Sequence, residues 1–180
     1  MVLILDCTVL INCIDKCLSV DLIDSLIAYP FELHIVETVN KEYLYGLNHY
    51  PKKANASRYH KHVPSHIKVI DESNFPFDNV AKLSNLHAGE FMSAIYKLKM
   101  PGEYIICTDD KAVHLTMQRQ FSFKCLWTSD LLVLLYQHVP SFINNTEVVS
   151  LFEEMKNNGF IGFDSNKINL NSTYNFNNFF

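Results

Sequence analysis

At 180 residues, 48% of them apolar, the chain carries enough hydrophobic side chains for one compact domain that needs neither disulfides nor a structural metal. A formal charge of -4 excludes a molecule-wide attraction to polyanions, so any nucleic acid has to be met by a local basic patch. Cys7, Cys13, Cys17, Cys107 and Cys125 form an odd set in apolar surroundings, which argues against an oxidised secreted framework and for buried thiols in a reducing cytoplasm.

The opening Met-Val-Leu-Ile-Leu-Asp lacks the basic flank and longer apolar stretch of a signal peptide. Val2 to Leu5 is instead a short apolar run ending in Asp6, the pattern of a strand buried on both faces of a parallel sheet. Helical periodicity follows in three segments. Val9, Leu10 and Ile14 give the first, Leu22, Ile23, Leu26 and Ile27 the second, and Val36, Val39, Tyr43, Leu44 and Leu47 the third, which ends at Gly46 to Pro51. A second strand is predicted over Ile67 to Ile70, after Pro64 and before Asp71-Glu72. Phe91, Ile95 and Leu98 mark a helix, and Tyr104 to Cys107 is a strand that follows Pro101-Gly102 and leads into Thr108-Asp109-Asp110. Val113, Leu115 and Met117 mark another helix. Phe123 to Trp127 reads as a strand, with Thr128, Ser129 and Asp130 as cap candidates for a helix carrying Leu131, Leu134 and Leu135. That apolar run is too short to span a bilayer, so no membrane association is expected. The last helix, Val148 to Lys156, stops at Asn157-Asn158-Gly159. Strands alternating with helices imply an α/β fold on a mainly parallel sheet. The Asn-rich tail 166–180 carries Ile168, Leu170, Tyr174, Phe176, Phe179 and Phe180 and is expected to fold as an edge strand or dock on a neighbouring subunit rather than stay disordered.

Asp6 stands at the end of the first strand, Glu42 in an early helix, Glu90 in the first turn of a later helix, and Asp110 just after a buried strand. Ligand sites of open α/β sheets form outside the carboxyl edge of the strands, where such residues can meet. Crowded carboxylates repel each other unless a cation neutralises them, and hard divalent ions prefer oxygen ligands. Thr8 can donate a hydroxyl to Asp6, while Thr108 and Asp109 add oxygen ligands at the sheet edge. Each acid also has a plainer reading: Asp6 and Asp109 as helix caps, Glu90 as an anion favoured by the helix dipole, Glu42 as a solvated side chain.

Leu-Asp6-Cys-Thr8, Thr-Val-Asn-Lys-Glu42-Tyr-Leu, Gly-Glu90 with Ala94-Ile95, and Cys-Thr108-Asp-Asp110, in this order, resemble the PIN-domain nucleases. Thr128 to Leu135 and the helix end near Glu153 to Phe160 are similar to the branch that contains the VapC-like toxins of toxin–antitoxin pairs. The resemblance implies a three-layer α/β/α PIN-like fold, with one domain over residues 1–180. It also implies cleavage of RNA phosphodiester bonds by a metal-activated water, dependent on Mg2+ or Mn2+. Asp6, Glu42, Glu90 and Asp110 would be the catalytic, metal-coordinating acids, Asp109 an auxiliary ligand, and Thr8 and Thr108 hydroxyl supports. A small antitoxin protein and a homodimer are the partners implied.

The sequence departs from the compact family pattern at residues 48–66, a basic helical insertion. Lys52, Lys53, Arg58, His60 and Lys61, with His62, His66, Tyr50 and Tyr59 among them, suit a phosphate-rich strand whose bases stack, or else a solvated charged face. His60 and His62, two residues apart, do not share a helical face and read as part of this basic surface. Two other classes compete with the nuclease: a non-catalytic PIN-like module for RNA or protein, and a haloacid-dehalogenase-like phosphatase. The phosphatase needs a second Asp two residues after the first, where this chain has Thr8.

Overall fold

The computed structural model describes residues 1–29, 31–49, 55–74, 86–139, 144–160, 162, 168 and 170–172. Five strands, β1 (Val2–Leu5), β2 (Glu32–Val36), β3 (Ile67–Ile70), β4 (Tyr104–Cys107) and β5 (Cys125–Leu126), form one parallel sheet in the order β3-β2-β1-β4-β5. Eight α-helices connect and follow them among the described residues. These are α1 (Cys7–Ile11), α2 (Leu22–Ala28), α3 (Glu37–His49), α4 (Ala56–His62), α5 (Ala88–Lys99), α6 (Lys111–Phe121), α7 (Thr128–His138) and α8 (Asn145–Asn157). The fold is the three-layer α/β/α arrangement, with helices on both faces of the sheet. No described helix is long and apolar enough to cross a membrane.

Strand order decides where a site can form. The chain lays β1, β2 and β3 outward to one side, then returns to place β4 and β5 on the other side of β1. Connections therefore leave the carboxyl ends of β1 and β4 in opposite directions, and a crevice opens between them. Leu5 pairs with Cys107, so the next residues on each strand, Asp6 and Thr108, stand side by side at its floor.

β1, β3 and β4 fall where strands are predicted; the central β1 and β4 are buried almost throughout, as strands covered on both faces are, whereas the edge strand β3 buries Ile67 and Ile70 and leaves Lys68 exposed. β2 falls where no strand is predicted, and Val36, expected in a helix, is its last residue. Glu32 and His34 interrupt its apolar run. His34 is nonetheless 3% exposed, between the Tyr96 hydroxyl at 2.7 Å from Nδ1 and the Glu32 carboxylate at 2.6 Å from Nε2. Burial holds the His34 pKa below its ordinary value, against the pull of Glu32. A hydrogen-bonded polar residue is tolerated inside a sheet, and hydropathy does not register it.

β5 is shorter than the Phe123 to Trp127 expected, since Phe123 N donates back to Met117 O and Trp127 already caps α7. Helix α3 runs through Gly46 to His49, and α8 begins at Asn145, where the Asn144 side chain accepts from Thr146 N and Glu147 N. Gly159, with φ +80°, follows α8 in the left-handed region, as its place after Asn157-Asn158 predicts. Of the tail, Ile168 and Leu170 pack on the core, and Gln137 Nε2 donates to Leu170 O and Ser172 O. Tyr174, Phe176, Phe179 and Phe180 lie outside the described residues.

Ile105 is fully buried in β4, beside the crevice. Ile105→Ala is expected to lower unfolding free energy by about 2–5 kcal/mol, read from the midpoint of a urea transition at unchanged slope.

Candidate active site at the carboxyl edge of the sheet

Asp6 is 4% exposed and forms no side-chain cap on α1. Its Oδ2 instead accepts two hydroxyls, Thr8 Oγ1 and Thr108 Oγ1, each at 2.9 Å. Both hydroxyls also accept from the segment that follows β4: Asp109 N donates across the crevice to Thr8 Oγ1 at 3.1 Å, and Asp110 N donates locally to Thr108 Oγ1 at 3.2 Å. The Asp6 carboxylate is thereby tied through two threonines to the backbone that carries the next acids. Burial raises its pKa, while the Thr8 and Thr108 hydroxyls pull it back down.

Asp109 and Asp110 divide the work after β4. Asp109 is 1% exposed, and its oxygens are occupied: Oδ1 by Thr128 N at 2.8 Å, Oδ2 by Thr128 Oγ1 at 2.5 Å and Asn12 Nδ2 at 2.8 Å. It joins the end of β4 to the starts of α7 and of the π-helical turn Asn12–Lys16 that continues α1. Such a residue is a strut, with little left to offer a cation. Burial pushes its pKa to about 6, despite the Thr128 and Asn12 hydrogen bonds. Asp110 is half-buried and caps α6, with Oδ1 accepting from Ala112 N at 2.6 Å and Val113 N at 3.3 Å, so Oδ2 stays outside the cap. His114, one turn later, reaches back to Thr108 O at 2.8 Å and stacks on Trp127 at 3.5 Å between ring centroids. Burial lowers its pKa to about 4, so at neutral pH it is an uncharged donor that props the Thr108-to-Asp110 turn.

Helices α3 and α5 pack against each other, and α3 also packs on α1. Glu90 sits in the first turn of α5, where His87 N donates to Oε2 at 2.8 Å and closes the helix start. Its pKa is lifted to about 7, chiefly by burial, with the Asp6 and Asp110 carboxylates adding to the lift. Glu42 is exposed as a residue, yet its carboxyl lies against Gly89, whose N–H it accepts, and its pKa is raised by burial and then by Asp6. A Cβ on Gly89 would stand 2.8 Å from Val39 Cγ2 and 3.1 and 3.2 Å from the Glu42 oxygens. Only glycine lets α3 and α5 approach this closely.

Asp6 therefore links the four acids around one crevice: its charge raises both Glu42 and Glu90, and Asp110 adds to the lift on Glu90. They do not form one coordination sphere. Among the described residues, the only three side chains with ligand atoms all within 4.8 Å of one another are Asp24, His62 and His66, away from this crevice. Local donors explain the spread, since each acid is held by its own partner: threonine hydroxyls, the Gly89 N–H, the His87 N–H or the α6 cap.

No family model, curated protein or solved structure matches this chain. Its function has to be read from its own geometry.

The basic insertion is organised differently from the sequence expectation. Lys52, Lys53 and Tyr50 lie outside the described residues. Arg58 turns inward, Nη1 to Cys17 O and Val20 O and Nη2 to Leu18 O, and Lys61 pairs with Asp21 and Asp24. Tyr59 is buried and stacks on Tyr43, with ring centroids 4.6 Å apart, so it offers no face to a base. His62 is fully buried, correcting its reading as part of a basic surface. His60 remains exposed. The sequence reading also missed Asn12 and Thr128 as partners of Asp109; one lies in a helix and the other looks like an ordinary cap, so neither carries a signal.

Two tests follow from the site's electrostatics and packing. Unfolded glutamate titrates near 4.5 and folded Glu90 near 7, so over that interval the folded state binds more protons and stability falls as pH rises. The cost is fully present above 7 and absent below 4.5. In chelator-treated protein, Glu90→Gln is expected to raise unfolding free energy at pH 8 by about 2 kcal/mol and to lose that advantage by pH 4. Parallel pH profiles would reject the assignment. Gly89→Ala, which in an open helix gains up to about 1 kcal/mol, is expected here to lose about 1–3 kcal/mol in urea unfolding, because Val39 and Glu42 occupy the space.

Proposed function

We propose that this protein is a metal-dependent endoribonuclease whose active site is the crevice between the ends of β1 and β4. The observation that carries the reading is Glu90, a carboxyl raised to about 7 by burial and by the Asp6 and Asp110 carboxylates at a topological switch point. Mutual repulsion of this kind is what a divalent cation offsets. The donor set is all oxygen, which suits Mg2+ or Mn2+, and Mg2+ keeps several of its waters, so carboxylates too far apart for one inner sphere still suit it.

Asp6, Glu42, Glu90 and Asp110 would hold the ions. Bound there, Mg2+ or Mn2+ supplies a nucleophile from water and offsets charge on the phosphate in the transition state. Thr8 and Thr108 fix the Asp6 carboxylate, and the α6 cap fixes Asp110. Asp109 locks the floor of the crevice to α7 instead of binding metal. RNA as substrate, a small antitoxin as inhibitor, a homodimer and a cytoplasmic setting complete the reading; they rest on the resemblance of the four acid-bearing segments to PIN-domain nucleases.

Purified protein is expected to cleave mixed cellular RNA only when Mg2+ or Mn2+ is supplied. Asp6→Asn and Asp110→Asn should each reduce the rate by about 100-fold or more, the loss typical when charge stabilisation of the transition state is removed. Equal cleavage by all three proteins would remove the crevice as the site, and no cleavage by any of them under either metal would leave a binding module as the better reading.

A further inference from the structure

Asp24 of α2 meets His62 and His66, the last two histidines of the basic insertion, in a cluster that shares no residue with the acidic crevice. We propose that they form a second metal site, selective for a borderline cation of the zinc class. Asp24 lies in the first turn of α2, His62 is the last residue of α4, and His66 precedes β3 after a turn in which its N–H donates to His62 O at 2.7 Å. One ligand atom from each comes within 4.8 Å of the others.

His62 makes the arrangement more than a surface cluster. Its ring is fully buried, and Nε2 lies 2.9 Å from Asp21 Oδ2, so Nε2 carries the proton that this carboxylate accepts. The Nδ1 lone pair is thereby directed at His66 Nδ1, 3.0 Å away, with Asp24 Oδ1 at 4.0 Å. A carboxylate gripping the far nitrogen of an imidazole is the usual device that fixes a metal-ligating histidine. Zinc–nitrogen bonds of about 2.0–2.1 Å in tetrahedral geometry separate ligand atoms by about 3.3 Å. The two imidazoles are near that spacing already, and Asp24 reaches it with a small side-chain rotation.

Two nitrogens and one oxygen select zinc over magnesium, in contrast to the all-oxygen crevice. Lys61 occupies the cation's place in part, its ammonium paired with Asp24 and 3.1 Å from Asp21 Oδ2. Its side chain is half exposed on a flexible stem, so a divalent ion displaces it into water. The site joins the start of α2 to the junction of α4 with β3, and occupancy stabilises the fold by mass action.

The test is a calorimetric titration of the full-length, chelator-treated protein with Zn2+ in the presence of millimolar Mg2+. One equivalent is expected to bind and to raise the melting temperature. Asp24→Asn and His66→Ala, both at least partly exposed positions, should each weaken binding about 10-fold or more with circular dichroism unchanged. Lys61→Gln should tighten it, and Asp6→Asn should leave it as it was, which separates this site from the proposed nuclease centre. Co2+ should give tetrahedral d–d absorption without a thiolate charge-transfer band. Absence of zinc binding, affinity indifferent to both ligand variants, loss on Asp6→Asn, or a thiolate band assigning the metal to the cysteines would each overturn the proposal.

Discussion

The junction of β1 and β4 depends on one buried carboxylate held by two hydroxyls. Asp6 ends the first strand at 4% exposure, and Thr8 and Thr108 each give it a hydrogen bond of 2.9 Å while receiving one from the Asp109–Asp110 backbone. A buried charge without such partners would cost several kcal/mol, on the order of 3–5. With them, the same group fixes the floor of the crevice. Asp109 extends the grip to α1 and α7 through Asn12 and Thr128.

Charge around that floor is held in a poised state. Glu90 is paired only with its own helix start, and Glu42 leans on a backbone N–H that Gly89 exposes by lacking a side chain. His87 tempers the lift on both acids, while Arg58 and Lys61 of α4 serve elsewhere. Arg58 ties α4 to the carbonyls of residues 17, 18 and 20, and Lys61 answers Asp21 and Asp24. Among the described residues of the basic insertion, Arg58 and Lys61 thus act as a brace, and His60 is exposed.

The alternation of elements is legible in the amino-acid sequence by itself, because apolar runs at β1 and β4, the mostly apolar Ile67 to Ile70 of β3 and 3.6-residue periodicity between them leave few alternatives to a parallel α/β sheet. The sequence also placed Asp6, Glu90 and Asp110 at element ends, with Glu42 inside a helix. β2 escaped it, since His34 becomes a core residue only when Tyr96, 62 positions later, arrives with a hydroxyl. The roles inside Thr108-Asp109-Asp110 escaped it too: two adjacent aspartates look equivalent in one dimension. Tertiary structure alone decided that Thr128 and Asn12 saturate the first while a helix cap leaves an oxygen of the second, that Glu42 meets Gly89, and that His62 faces Asp21 and His66 instead of solvent. The reason is general to such sites. Periodicity is a local property that backbone geometry enforces, whereas hydrogen-bond partners and pKa values are set by residues that strand order brings together from distant parts of the chain.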